Sequence, residues 1–269
     1  RPGDGFLAWP GAAVDARAHV LSALERGAGA CLVEQQGAAG PYLGDERVAT
    51  YPQLKSDSAK IASGWFFNPS AAMAVIAVTG TNGKTSSTWW LAQALSKLEH
   101  VAPMPCGVVG TLGIGVPPNL VSTGLTTPDP VALQAAFANF KAQGFKACAI
   151  EASSIGIEEH RLAGTLIHTA VLTNVTQDHL DYHGDMASYA AAKARLFAWP
   201  GLRAAVINVD DAFGLELAAS LDAQRLDVWS VSMLAGAANL ARLQAQDISH
   251  LPAGMAFTVV EGAVRLPLT

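Results

Sequence analysis

The sequence predicts an α/β protein in which a small N-terminal α/β domain precedes a larger, doubly wound and mostly parallel sheet. Three observations predict it. From residue 73 onward, short runs that are apolar on both faces recur; alanine-rich helical stretches separate them; and the breaker Asn68-Pro69-Ser70 stands just before the first run. A central parallel strand is covered on both sides, so it loses the in-out alternation of a half-exposed strand, and strands alternating with helices give a parallel sheet. The expected boundary falls at the breaker, giving domains 1–69 and 70–269.

Taken in order, Phe6-Leu7-Ala8 reads as a strand, Ala16 to Glu25 as an amphipathic helix, and Ala30-Cys31-Leu32-Val33 as a second strand after the stop at Gly27. Tyr51 to Trp65 predicts another helix. Met73 to Val78 is the first fully apolar strand, and Thr85 to Leu98 the helix after it. Further strands are expected over 147–150, 169–173 and 204–209, with helices over 131–142 and 187–198.

Composition narrows the class. The 269 residues suffice for one large and one small domain. Although 51% are hydrophobic, no uncharged apolar run reaches the roughly 18 residues of a spanning helix, so no membrane insertion is expected. A net charge of −5 offers no basic face for nucleic acid. Cys31, Cys106 and Cys148 are odd in number and far apart, which argues against a disulfide framework or a cysteine zinc site and fits the reducing cytoplasm. The opening Arg-Pro-Gly-Asp is polar and turn-like and lacks a starting Met, so no signal peptide is expected and the true N-terminus is expected to lie upstream.

The strongest chemical signal runs from Val78 to Ser86, between the first buried strand and its helix. Glycines there let backbone N–H groups turn around phosphate oxygens, and the helix N-terminus adds partial positive charge. Gly80, Thr81, Asn82, Gly83, Lys84, Thr85 and Ser86 are therefore the expected nucleoside triphosphate ligands, with Lys84 on the terminal phosphates and the Thr85 hydroxyl on Mg²⁺. The common phosphate-loop pattern starts with Gly six positions before the lysine; here that position is Val78, and Gly80 stands four before.

Ligands of open parallel sheets collect at the carboxyl ends of the strands. Glu151 ends the strand at 147–150 and is a candidate Mg²⁺ ligand, oxygen being the donor that Mg²⁺ prefers. Beyond the next strand, His179 lies among acids and is a candidate metal ligand, with Asp178 or Asp181 to orient it. Lys193, read from its surroundings alone, is an ordinary exposed helix lysine.

GTNGKTS at 80–86, TTPD at 126–129, EASS at 151–154, DHLDYHG at 178–184 and AAAKARLF at 190–197 together resemble the Mur ligases, and RPGDGFLAWPG with GAGACLVE resembles their uridine-binding N-terminal domain. Within the family the combination is similar to the members that add the third residue to UDP-N-acetylmuramoyl-L-Ala-D-Glu. The resemblance implies an ATP-dependent amide ligase that works through an acyl phosphate. It joins a diamino acid, meso-diaminopimelate or L-lysine, to the D-Glu γ-carboxylate. It further implies catalytic roles for Lys84, Glu151, His179 and Lys193, and metal ligation by Thr85, Glu151, His179 and Lys193, the last as a CO₂-derived carbamate. Thr126, Thr127, Ser153, Glu159 and Arg161 match substrate contacts, and Ala12, Ala13 and Val14 match the uridine loop. Ile155, Glu159 and Leu125 depart from the commoner His, Gln and Asn. The family's C-terminal domain is expected to be missing, and with it ligase turnover; the protein is expected to be monomeric. The competing expectations are another ligase of the superfamily, such as folylpolyglutamate synthase or the enzyme adding D-Ala-D-Ala. A P-loop NTPase without ligase activity and a non-enzymatic UDP-sugar-binding module are the others.

Overall fold

Three short parallel strands, β1 (Gly5–Ala8), β2 (Ala30–Glu34) and β3 (Val48–Tyr51), form the first sheet in that order. The structure, a computed structural model, describes residues 2–269 apart from 12, 13, 99–101, 222–224, 235–240 and 253. The helix expected over Ala16 to Glu25 divides into a 3₁₀ turn, Ala16–His19, and α1 (Val20–Glu25). The Asp15 side chain accepts from Arg17 N at the start of that turn. Val20 and Leu24, one helical turn apart, bury against Ala8, Cys31 and Val33 in a core of their own.

Tyr51 is not helical: it pairs with Glu34 as the last residue of β3, and α2 (Leu54–Trp65) starts after it. The reason is Pro52, whose ring disfavours helical backbone in the residue before it. The Glu34 carboxylate then accepts from Gln53 N at 3.1 Å and Leu54 N at 2.7 Å, satisfying two donors at the start of α2. A 3₁₀ turn, Pro69–Ala72, occupies the breaker.

The second sheet has at its centre β4 (Ala74–Thr79), β5 (Cys106–Gly110), β8 (Ala147–Glu151), β9 (Thr169–Leu172), β10 (Ala204–Asn208) and β11 (Asp227–Ser232). All of these run parallel, in the order β11-β10-β9-β4-β8-β5. Antiparallel strands extend it at both edges: β6 (Gly113–Val116) and β7 (Asn119–Val121) beyond β5, and β13 (Gly254–Glu261) and β14 (Val264–Leu268) beyond β12 (Leu243–Leu251), which is parallel to β11. The doubly wound, mostly parallel sheet is thus present, widened by hairpins whose shorter or partly exposed strands carry no long apolar run. Every residue of β8 is buried, as are Val75, Ala77 and Val78 of β4.

Helices cover this sheet. α3 (Lys84–Ser96) follows β4, and α4 (Pro130–Ala142) packs Phe137 and Phe140 into the main core. The start of α4 is encoded locally: the Asp129 side chain accepts from Val131 N and Ala132 N at 3.0 Å, and Pro130 fills the first turn. Gly107 leaves room for the Phe140 ring, which a Cβ there would overlap. The helix expected over 187–198 is α7 (Met186–Ala194), tightening into a 3₁₀ turn at Arg195–Ala198 and ending at Trp199, the residue before Pro200. The three cysteines are buried and free. Among the described residues no helix is long and apolar enough to cross a membrane.

Candidate active site

β4 lies between β8 and β9, with Val78 opposite Glu151 and Thr79 opposite Leu172, so three strand ends open onto one crevice. The chain leaves β4 at Gly80 with φ +141°, and a Cβ there would overlap the Thr173 hydroxyl and press on the Asn174 backbone. Gly83, at φ +85°, caps α3. Only glycine takes both conformations without strain.

The loop between them is clamped from the β9 end. Thr81 N donates to Asn174 O at 2.8 Å, and Asn82 N to the Asn174 side chain at 3.0 Å. The Thr173 hydroxyl donates to Asn82 O at 2.6 Å, and the Thr81 hydroxyl meets Thr176 and the Tyr189 hydroxyl, the latter at 3.1 Å. Thr173, Asn174 and Tyr189 carry no sequence signal of their own. Their roles follow from strand adjacency, which no local pattern reveals. Ser86 sits exposed on the first turn of α3.

Lys84 turns back on the loop, its Nζ donating to Gly80 O and Thr81 O at 2.9 Å. Burial lowers its pKa, opposed by the negative charges of Glu151 and Asp178. The Thr85 hydroxyl lies 3.0 Å from both oxygens of Glu151, a carboxylate only 1% exposed. Thr111 completes this group: its N–H donates to Glu151 Oε1 at 2.8 Å, and its hydroxyl lies 3.0 Å from that of Thr126. Gly110 leaves the space the carboxylate fills. A buried carboxylate held by neutral donors beside a threonine hydroxyl offers a set of hard oxygens that fits Mg²⁺. Among the described residues no three His, Cys, Asp or Glu side chains converge on one metal position.

Lys193 is the main correction to the residue-by-residue reading. It is 1% exposed, not a surface lysine, because α7 turns it inward to Gly80 O, 3.0 Å from Nζ, with the Tyr189 ring 4.2 Å below. Burial, then the charge of Lys84, push its pKa down to about 7, with Asp178 opposing. Lys84 and Lys193 thus share one carbonyl, an arrangement that disfavours two ammonium ions.

His179, at φ +52°, starts α6 (Leu180–His183), with its ring half exposed and Nε2 3.6 Å from Asp178. Its ring stands 6.2 Å from that of Tyr189. His183 reaches further in, its Nε2 3.0 Å from the Ser154 hydroxyl and its ring 5.3 Å from Tyr189; burial lowers its pKa. Asp181 lies in the first turn of α6.

Of the residues matched to substrate contacts, Thr126, Thr127, Ser153 and Arg161 come together. Thr127 is fully buried; its hydroxyl donates to Glu151 O at 2.8 Å and accepts from Ser153 N at 3.0 Å. Ser153 caps α5 (Ser154–Glu158) through Gly156 N, and Arg161 Nη1 donates to Thr127 O at 2.9 Å. Glu159 turns toward Lys55 and Tyr182. Val14 lies exposed beyond β1, apart from this group in sequence and sheet, and Ala12 and Ala13 lie outside the described residues.

The Mur ligase middle domain family matches residues 78–268. A curated relative from Acidovorax sp. (strain JS42), named UDP-N-acetylmuramoyl-L-alanyl-D-glutamate--2,6-diaminopimelate ligase, is 58% identical over 266 residues, 98% of this chain and 52% of the relative. A relative of the same name from Pseudomonas syringae pv. tomato is 47% identical over 86% of this chain and 46% of its own length. A solved structure of a ligase of that name superposes with a TM-score of 0.82 at 32% identity, covering all of this chain and 53% of that one. The chain therefore spans about half the length of the curated relatives it matches.

Proposed function

This chain belongs to the Mur ligase family, and we propose that it is the nucleotide- and precursor-binding part of an ATP-dependent amide ligase of peptidoglycan synthesis. The enzyme joins 2,6-diaminopimelate to the D-Glu γ-carboxylate of UDP-N-acetylmuramoyl-L-Ala-D-Glu. The names of the relatives support diaminopimelate over lysine. The observation that carries the reading is the burial of Lys193 against Gly80 O beside Lys84. A lysine of depressed pKa beside the phosphate loop is the amine that carbamate formation requires.

In this reading residues 1–69 bind the uridine end, with Ala12, Ala13 and Val14 in the contact loop, and residues 70–269 bind ATP. The Lys84 ammonium and the amides of the Gly80 to Ser86 loop hold the ATP phosphates, except the Thr81 and Asn82 N–H groups, which go to Asn174. The D-Glu γ-carboxylate attacks the γ-phosphorus; the bond to the β,γ-bridging oxygen breaks, releasing ADP and leaving an acyl phosphate. The diamino acid's amine then attacks the acyl carbon, loses a proton, and inorganic phosphate departs as the amide forms. Positioning and charge neutralisation do most of the work in such transfers.

Thr85 and Glu151 would hold one Mg²⁺, and His179 with Lys193 as a carbamate a second. Bound there, the cations would neutralise charge on the transferring phosphoryl group. Carbamate formation needs an uncharged amine: its nitrogen attacks CO₂ and releases a proton. A lysine pKa of about 7 keeps that form available near neutrality. The anionic product would also relieve the repulsion between Lys193 and Lys84. Thr126, Ser153, Glu159 and Arg161 border the precursor, with Thr127 holding Ser153 and Arg161 in place. On the same reading the protein works in the cytoplasm.

Calorimetry tests this directly. The chain is titrated with UDP-N-acetylmuramoyl-L-Ala-D-Glu, with and without Mg²⁺ and a non-hydrolysable ATP analogue; UDP-N-acetylmuramoyl-L-Ala and a folate serve as controls. Selective binding of the dipeptide form is expected. Binding of nucleotide with no preference among the other ligands would sink the precursor assignment.

A further inference from the structure

Lys55 stands in the first turn of α2, which the Glu34 carboxylate fixes through Gln53 N and Leu54 N. From there its Nζ reaches Glu159 Oε2 at 2.6 Å, joining residues 1–69 to the chain that follows β8. The other oxygen of Glu159 accepts from the Tyr182 hydroxyl at 2.9 Å. Tyr182 lies on α6, its ring 4.9 Å from that of His183, whose Nε2 meets the Ser154 hydroxyl. One carboxylate therefore ties together α2, the end of α5 and α6. The neighbouring Glu158 is taken up by Arg195 at 2.9 Å. Arg161 donates to Thr127 O, two residues beyond the carboxylate.

We propose that Lys55 is a positioning residue for the anionic precursor: it neutralises Glu159, so that this carboxylate can border the substrate groove and hold Tyr182 without repelling the ligand. The inference rests on the functional reading given above. Lys55 is half exposed, and an exposed ion pair contributes only about 0–1 kcal/mol to folding, so stability is a weak reason for it. Its effect on binding is larger. Without the ammonium, Glu159 keeps a neutral phenol and the nearby Arg161 charge, and the remaining negative charge faces a ligand that carries a diphosphate and carboxylates. Like charges brought together on binding weaken association. The Lys55 contact is also the main reason the Glu159 carboxyl titrates below its ordinary range.

The test uses the full-length ligase with Lys55→Met, Lys55→Arg, Glu159→Gln and the Lys55→Met/Glu159→Gln double variant. The readouts are KM for UDP-N-acetylmuramoyl-L-Ala-D-Glu, KM for ATP, and kcat. Lys55→Met is expected to raise KM for the precursor about five- to twentyfold while moving KM for ATP less than about twofold. The defect shrinks as salt is raised from about 0.05 to 0.5 M, because screening weakens the repulsion. Lys55→Arg restores the wild-type KM. In the Glu159→Gln background, where no charge needs neutralising, Lys55→Met shifts KM less than about twofold relative to Glu159→Gln alone. A Lys55→Met enzyme with unchanged KM, or an equal defect in both backgrounds, overturns the inference while the functional reading stands. A wild-type enzyme that does not use the precursor at all overturns both.

Discussion

Replacing Lys193 by methionine removes a buried amine while keeping most of its stem, and the consequence for stability depends on pH. Burial and the charge of Lys84 lower the Lys193 pKa from the ordinary 10.5 to about 7. Below pH 7 the amine is protonated in both states, and the folded state carries the whole cost, at most about 5 kcal/mol. Between pH 7 and 10.5 the unfolded chain binds more protons at this site than the folded one, so stability rises with pH. Above 10.5 the cost is gone. From about pH 6.5 to 9.5 the wild-type chain regains about 3 kcal/mol from this group, and Lys193→Met regains none of it. Loss of the Gly80 O hydrogen bond, which the neutral amine also donates, subtracts about 0.5–1.5 kcal/mol from the variant throughout. Lys84 and His183, which interact with the Lys193 charge, add a smaller contribution, whereas groups far from Lys193 titrate alike in both proteins and cancel in the difference. Urea unfolding of the 269-residue chain, followed by tryptophan fluorescence in CO₂-free buffers, measures it. The variant's stability relative to wild type is expected to fall by about 3 kcal/mol across that range. A difference that stays constant within about 0.5 kcal/mol would refute the burial of a titrating amine at this position.

Gly80→Ala forces a methyl onto the Thr173 hydroxyl at φ +141°, so it is expected to destabilise the chain by about 2–4 kcal/mol and abolish binding of a fluorescent ATP analogue. Glu151→Gln keeps the size of the side chain and removes its charge; Mg²⁺-dependent tightening of that analogue is expected to weaken more than about tenfold, and unchanged Mg²⁺ dependence would exclude Glu151 as a ligand. Phe137→Ala empties a fully buried position in the main core and is expected to cost about 3–5 kcal/mol in urea unfolding, with nucleotide affinity little changed in the folded fraction.

What could be read from the sequence was what is local. The strand and helix around Gly80 to Ser86 are one continuous stretch, in which glycines, the lysine and the apolar run occupy fixed offsets. The start of α4 at Asp129-Pro130 is equally local, because a cap and its donors are at most three residues apart. Apolar runs without alternation predicted the buried parallel strands: β8 is buried on both faces, and β4 over its last three residues, Ala77 to Thr79. The edge hairpins are not legible in the sequence, since short or exposed strands carry little pattern. Tyr51, expected in the helix, belongs to β3 because Pro52 biases the residue before it toward extended backbone.

Tertiary structure alone decided the environment of each side chain. Lys193 has the local sequence of a surface lysine; only the packing of α7 over the phosphate loop buries it and lowers its pKa. Glu159 meets Lys55 more than a hundred residues earlier in the chain, and Asn174 reaches the Asn82 amide because β9 lies beside β4. Spacing along the chain determines backbone conformation and which face of an element is apolar. Desolvation and charge pairing depend on distances between elements, and these exist only once the sheet order is set.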